Sequence, residues 1–270
     1  MATNDLSLAG KVALITGSGK ENGVGAGIAK ALARAGASVA IHHVSETSKA
    51  SAERLAKDIA QETGSKTTVV RGAVNLPETA PRLVQETLAA FNVDHIDILV
   101  NNAAVISRTP LLEVKEEQLL EEYTVNVFGP IYLTQAAVKE GKMPPGGRII
   151  NIGSIASKMG MSIGASYSAS KAAMDSLTMS WASDLGHSHG ITINTVAPGH
   201  VVTDLSKDLL EGDDAPPTHT LQAIYSQTRA APRIGTAEDI GDVVLLIASE
   251  KSRWLTAQWI SASGGLTGVM

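Results

Sequence analysis

Short runs of apolar residues, rich in Val and Ile, recur along the chain, and longer stretches with helical spacing separate them. Lys11 to Thr16, Ser38 to His42, Thr67 to Arg71, Ile96 to Val100, Gly147 to Ile152, Ile191 to Val196 and the short Gln258 to Ser261 read as strands. The intervening pattern predicts helices at Gly25 to Ala35, Ser48 to Glu62, Pro81 to Phe91, Lys115 to Glu140, Ser166 to Leu185 and Ala237 to Ala248. The strand runs are continuously apolar rather than alternating, as expected when both faces of a sheet are covered. Strand and helix in strict alternation require crossover connections. The fold expected is therefore α/β: a doubly wound parallel sheet of about seven strands with helices on both faces. In such sheets ligands sit at the carboxyl ends of the strands, so those ends are where chemistry is expected.

One stretch interrupts the alternation. Residues 204–232 carry Glu211, Gly212, Asp213, Asp214 and the pair Pro216 and Pro217. Long insertions in compact domains are often mobile covers, so this segment is expected to be a substrate lid. Neither a repeat nor a linker divides the rest, and residues 1–270 read as a single domain.

Composition narrows the classes. The formal net charge of -5 argues against a nucleic-acid binder, which needs clustered Lys and Arg to neutralise phosphates. No cysteine is present, so disulfides and thiolate metal sites are excluded, and the paired histidines lack the carboxylates to complete a metal site. No apolar run approaches the roughly 18 residues that span a bilayer, and the first ten residues lack a signal-peptide core. A soluble, cytoplasmic protein is the expectation.

The first strand runs into Thr16-Gly17-Ser18-Gly19-Lys20-Glu21-Asn22-Gly23-Val24-Gly25 and then a helix. Glycines allow a tight turn and close approach to a pyrophosphate, and a helix start adds free N–H groups. Placed between strand and helix, the cluster resembles the fingerprint of the short-chain dehydrogenase/reductase family, which reads Thr-Gly, three residues, then Gly-x-Gly. Here five residues separate Gly17 from Gly23, a two-residue insertion. The resemblance implies a Rossmann-type sheet and a bound dinucleotide.

The second strand decides which one. A carboxylate at its end would grip the ribose hydroxyl of NAD and repel a 2′-phosphate. This strand ends Ile41-His42-His43-Val44-Ser45, with no acid before Glu46. Lys20, His43, Ser45 and Ser48 are suited to a phosphate, so the cofactor expected is NADP(H). The resemblance adds Val74, Asn102, Ala103, Pro198, Gly199, Val201 and Thr203 as cofactor contacts, with Ala73 and Ala104 as departures from the family pattern. Together with Gly17, Ser18, Gly19, Lys20, Gly23, Val24 and Gly25, these form the expected cradle.

Tyr167 and Lys171 stand four apart, one turn along a helix. A free Tyr has a pKa of about 10, and a neighbouring ammonium is expected to lower it toward neutrality. Alone, such a pair is most often a surface feature. Ser154 lies thirteen residues before Tyr167, the family's spacing, and Asn126 matches the family's Asn on the long central helix. The resemblance implies that Asn126, Ser154, Tyr167 and Lys171 form a catalytic set: Ser154 orients a carbonyl, Tyr167 exchanges the proton, Lys171 supports the phenolate and contacts the ribose, and Asn126 holds a water.

The activity implied is NADPH-dependent reduction of a ketone or related C=O or C=N in biosynthesis, most like 3-oxoacyl carrier-protein and polyketide naphthol reductases. A non-catalytic NADP(H) sensor or scaffold, and imine reduction or cyclisation on the same fold, stay open. The partners expected are a small carbonyl substrate and copies of the chain itself, as a dimer or tetramer through the helices at Lys115 to Glu140 and Ser166 to Leu185. The pocket is expected between Ala104 to Ser107, Ile155 to Met161, His200 and the lid.

Overall fold

The computed structural model describes residues 6–159, 164–203 and 218–267. Seven strands form one sheet: β1 (Val12–Ile15), β2 (Ser38–His43), β3 (Thr67–Arg71), β4 (Ile98–Asn101), β5 (Arg148–Ile152), β6 (Thr192–Pro198) and β7 (Trp259–Ala262). All neighbours run parallel, in the order β3-β2-β1-β4-β5-β6-β7. The strand order therefore reverses between β1 and β4, which opens a crevice at their carboxyl ends.

Helices cover both faces. On one lie α1 (Val24–Arg34), α2 (Lys49–Thr63) and a late helix, α8 (Ala237–Ala248). Their apolar stripes, including Ile28, Leu32, Leu55, Ile59, Ile240 and Val244, pack on Ile15, Ile41, Val100 and Val196. α1 and α8 cross closely at Gly27, where a Cβ would lie 2.3 Å from the Ala237 carbonyl oxygen. On the other face lie α3 (Thr79–Phe91), α4 (Glu116–Tyr123), α5 (Gly129–Lys139) and α6 (Ala165–His189). α7 (Thr218–Gln227) follows β6. α8 starts on a capping box between Thr236 and Asp239, which fixes its first turn.

Two expectations are refined. The stretch Lys115 to Glu140 is not one regular helix, because a π turn at Thr124–Phe128 separates α4 from α5. Such turns concentrate at functional sites because they redirect a side chain without ending the helix, and this one contains Asn126. Residues 204–217, the first half of the expected lid, lie outside the described residues, as does Met161. No described helix is long and apolar enough to cross a membrane.

Candidate active site

The crevice at the switch point is a cavity of about 720 Å³. One end is built by the glycine turn and the end of β2, the other by the β5 and β6 ends and the N-terminal part of α6.

Thr16 organises the first wall. Its hydroxyl accepts from the amides of Asn102 and Ala103, both at 3.0 Å, and donates to the Val100 carbonyl. The Asn102 amide group in turn donates to the carbonyl oxygens of Thr16 and Gly17. Gly17 takes φ +63°, and a Cβ there would lie 2.8 Å from the Ala103 Cα, so only glycine fits. Gly17, Gly19, Lys20, Gly23 and Val24 line the cavity.

Two members of the expected cradle stand behind it instead. Ser18 is fully buried: its hydroxyl donates to Ile15 and accepts from the His42 amide, and its own amide donates to His42. The inserted residues therefore fold back onto β2, and Ser18 holds the turn rather than facing a ligand. Gly25 packs against Asn102 and Ser18 and also lies outside the lining.

His42 locks the same corner. Its Nδ1 accepts from the Gly17 amide at 2.9 Å and its Nε2 lies 2.7 Å from the Gly72 carbonyl, so the neutral ring protonated on Nε2 satisfies both. Burial pushes its pKa down to about 4. His43 lines the cavity, with Nδ1 3.0 Å from the Ser45 carbonyl oxygen. The Ser45 hydroxyl lies 2.8 Å from that of Thr47 and 3.0 Å from that of Ser48, which gives a cluster of hydroxyls at the mouth. Glu46, the nearest acid, pairs with Arg71 and Lys49 and does not line the cavity. Val74 lines the same end.

At the other end, α6 presents an unusual stripe. Its buried residues include Ser170, Lys171, Asp175 and Thr178, spaced along one helical face that also carries Tyr167. Tyr167 lies beside Ser154, whose hydroxyl accepts from the Ala156 amide at 3.1 Å. Lys171 Nζ donates to the Ile152 carbonyl at 2.8 Å and sits 5.7 Å from the centre of the Tyr167 ring. Burial brings the Lys171 ammonium down to about 8, opposed by the charge of Asp175.

The expected lowering of Tyr167 does not hold in this arrangement. Burial pushes the phenol up, and Glu122 adds to this, while the neighbouring Ser154 hydroxyl and Arg108 pull the other way. The physical reason is burial, which disfavours the phenolate more strongly than any neighbouring group favours it.

Asn126 does not line the cavity. Its Oδ1 accepts from the Val105 amide, and its Nδ2 donates to the Val105 carbonyl and to Ser170 Oγ, at 2.9, 2.9 and 3.0 Å. Both amide hydrogens are thus committed, and the side chain clamps the loop after β4 onto α6.

Ser154, Tyr167 and Lys171 share one wall with Pro198, Gly199, Val201 and Thr203, while Asn102 and Ala103 face them from the β4 end. Arg108, Glu121 and Val125 also line the cavity, and sequence reasoning missed them. They come from an irregular loop and a helix face that carry no periodic signal. Ile155, Met159 and His200 line it as expected, but among the described residues none of 218–232 does.

Residues 17–267 match the family described as enoyl-(acyl carrier protein) reductase. The chain is 38% identical to the short-chain dehydrogenase/reductase FrzI of a Cladobotryum species, over 97% of this chain and 98% of that one. It is 35% identical to the hydroxynaphthalene reductase-like protein Arp2 of Metarhizium majus, over 96% of each. The crystal structure of the angucycline C-6 ketoreductase LanV with bound NADP matches with a TM-score of 0.85 at 32% identity, over 97% of this chain and 98% of that one.

Proposed function

The chain belongs to the short-chain dehydrogenase/reductase family, and from that premise we propose that it is a cytoplasmic carbonyl reductase that uses NADPH to reduce a ketone in a biosynthetic pathway. The observation that carries this reading is the placement of Ser154 and Tyr167 together on the wall of a cavity whose other end is a glycine turn beside an acid-free strand end. The solved ketoreductase it is similar to holds NADP, and a curated relative is named for hydroxynaphthalene reduction.

The residues fit NADP(H). Gly17 brings the backbone close without a Cβ in the way, and the hydroxyls of Ser45 and Ser48, now bonded within their own turn, would re-aim to donate to a 2′-phosphate, with Lys20 adding charge. The carboxylates nearest that corner in the chain are paired, Glu46 with Arg71 and Lys49 and Glu21 with Arg54, and neither lines the cavity. When bound, the cofactor supplies the hydride.

The chain supplies orientation and the proton. Ser154 and Tyr167 both donate to the substrate oxygen, which places the carbonyl and stabilises the negative charge that develops there. Tyr167 then gives its proton to that oxygen. The raised phenol suits this direction, since the acid is held protonated until an alkoxide forms. Lys171 stabilises the phenolate left behind. Asn126 acts as a positioning residue, through Val105 on one side and Ser170 on the other. Ile106, Ile155 and Met159 give the substrate end an apolar, adaptable lining suited to a bulky ketone.

The chain also associates with copies of itself. Leu120, Phe128 and Met179, on the α4, α5 and α6 side, are exposed apolar residues that a second copy would cover. Light scattering is expected to report a dimer or tetramer, and a lone monomer at micromolar concentration would contradict this.

The test of the activity uses NADPH, NADH and 2,2,2-trifluoroacetophenone with other activated ketones. Turnover with a clear preference for NADPH is expected. NADPH binding without turnover of any ketone would point to a sensor instead, and a preference for NADH would overturn the cofactor assignment.

A further inference from the structure

One buried acid is left over from this mechanism, and burial raises its pKa against the opposing pull of Ser157, Lys158 and Lys171. Asp175 lies one helical turn beyond Lys171 on the same face of α6, with only 5% of its surface exposed. Its Oδ2 is 3.2 Å from Lys158 Nζ, in the turn that follows Ser154. Its Oδ1 lies beneath Gly153, where a Cβ would be 3.5 Å away. The carboxylate is therefore wedged below the segment that carries Ser154, between two lysines. Lys158 in turn sits 5.8 Å over the ring of Trp259 on β7, which fixes the outer end of the row.

We propose that Asp175 is a positioning residue for the proton chemistry of this site: its buried carboxylate keeps Lys171 charged and in place beneath Tyr167, and Lys158 anchors that carboxylate from outside. This rests on the reading of Tyr167 and Lys171 given above.

The argument starts from cost. The Ser157 hydroxyl and Lys158 both approach the carboxylate, but apart from the Lys158 ion pair no hydrogen bond of good geometry reaches either Asp175 oxygen. A buried carboxylate in that condition is destabilising unless nearby charges offset it. An apolar residue would pack more cheaply on a helix face that meets a sheet. What the charge does supply is a field at Lys171. That ammonium is fully buried and donates to a single carbonyl, Ile152, so burial pulls its pKa down. Asp175 is the negative charge that opposes this.

The other charges nearby act elsewhere. Those facing Asp175 are Lys171 on its own helix and Lys158 from the turn after β5. Those acting on Tyr167 are Glu122 of α4 and Arg108 of the loop after β4. β6 contributes only the neutral Thr195 under Gly153. Asp175 thus stands in a row, Tyr167, Lys171, Asp175 and Lys158, in which each charge neighbours one of opposite sign.

The test reads Lys171 directly. The full chain without cofactor is labelled with 13C at lysine Cε and titrated by NMR, with Lys171→Met identifying the resonance. The wild-type midpoint is expected near 8. Asp175→Asn is expected to lower it by about one unit, and Asp175→Glu, which keeps the charge, to restore most of the difference. Should Asp175→Asn fail to fold by circular dichroism, Asp175→Ser removes the charge with less bulk and is expected to lower the midpoint equally. An unchanged or raised midpoint in a folded neutral variant would overturn the proposal, because a merely structural Asp175 would alter melting temperature and leave Lys171 alone. The titration needs neither NADPH nor a ketone, so a wild-type chain without turnover would sink the functional reading and leave this result standing. Where turnover with NADPH and 2,2,2-trifluoroacetophenone is measurable, the alkaline limb of kcat is expected to move to lower pH by the same amount in Asp175→Asn.

Discussion

The two faces of the sheet are buried by different means. On the side of α1 and α8, the helix stripes are Ile, Leu, Val and Ala, and the two helices meet at Gly27 without a polar contact from their stripes. On the other side, α6 buries Ser170, Lys171, Asp175 and Thr178. Thr178 bonds Asn151 and Thr195, both at 2.8 Å, and Asn151 accepts from Asn101, so the polar stripe continues into the sheet. Apolar burial is non-directional and tolerates small shifts, whereas a buried polar row is stable only while each member keeps its partner. The difference teaches where this fold spends precision: one face holds the sheet together and the other holds a tyrosine, a lysine and a serine in register.

That contrast can be broken in graded ways. The largest effect is expected at the chemical end of the polar row. Tyr167→Phe should lower ketone turnover by on the order of 10³-fold, with the melting temperature nearly unchanged in differential scanning calorimetry. On the apolar face, Leu32→Ala should cost about 2–5 kcal/mol of unfolding free energy in urea, while the folded fraction keeps wild-type kcat.

At the corner between β1, β2 and β3, pH replaces mutation. His42 is held neutral, because burial pushes its pKa down to about 4 from the ordinary 6.5. The unfolded chain therefore binds the proton first as pH falls. The stability that the neutral ring contributes is present above about pH 6.5 and is lost between there and about pH 4, amounting to roughly 3 kcal/mol. Urea unfolding across that range should show the loss, and His42→Gln should flatten it. The smallest effect is expected at Thr178→Val, which leaves the buried Asn151 amide short of an acceptor. It should cost about 1–3 kcal/mol and leave the pH dependence of turnover in place.

Most of the apolar face was legible in the sequence. Continuous Val and Ile runs gave all seven strands, and α8 matches its expected span of Ala237 to Ala248, because Thr236 and Asp239 mark its start. The polar face was legible only in part. Tyr167 and Lys171 could be paired from helical spacing, and Ser154 was named from the resemblance, since it stands thirteen residues before Tyr167 as in the family. The π turn at Asn126 could not be read, because Thr124 to Phe128 has no residue that forces it; its cause is tertiary, the clamp onto Val105 and Ser170. Ser18 was assigned to the cofactor because the motif puts it there, but the inserted residues turn it toward His42. Asp175 gave no signal at all, since a lone acid on a helix normally reads as solvated.

The most direct measurement sets turnover and stability side by side for Tyr167→Phe and Leu32→Ala, with NADPH binding followed by fluorescence. The division of labour requires that Tyr167→Phe binds NADPH and melts like the wild type but no longer reduces the ketone, while Leu32→Ala melts earlier and reduces it at the normal rate per folded molecule. Carbonyl reduction that survives in Tyr167→Phe would contradict the account.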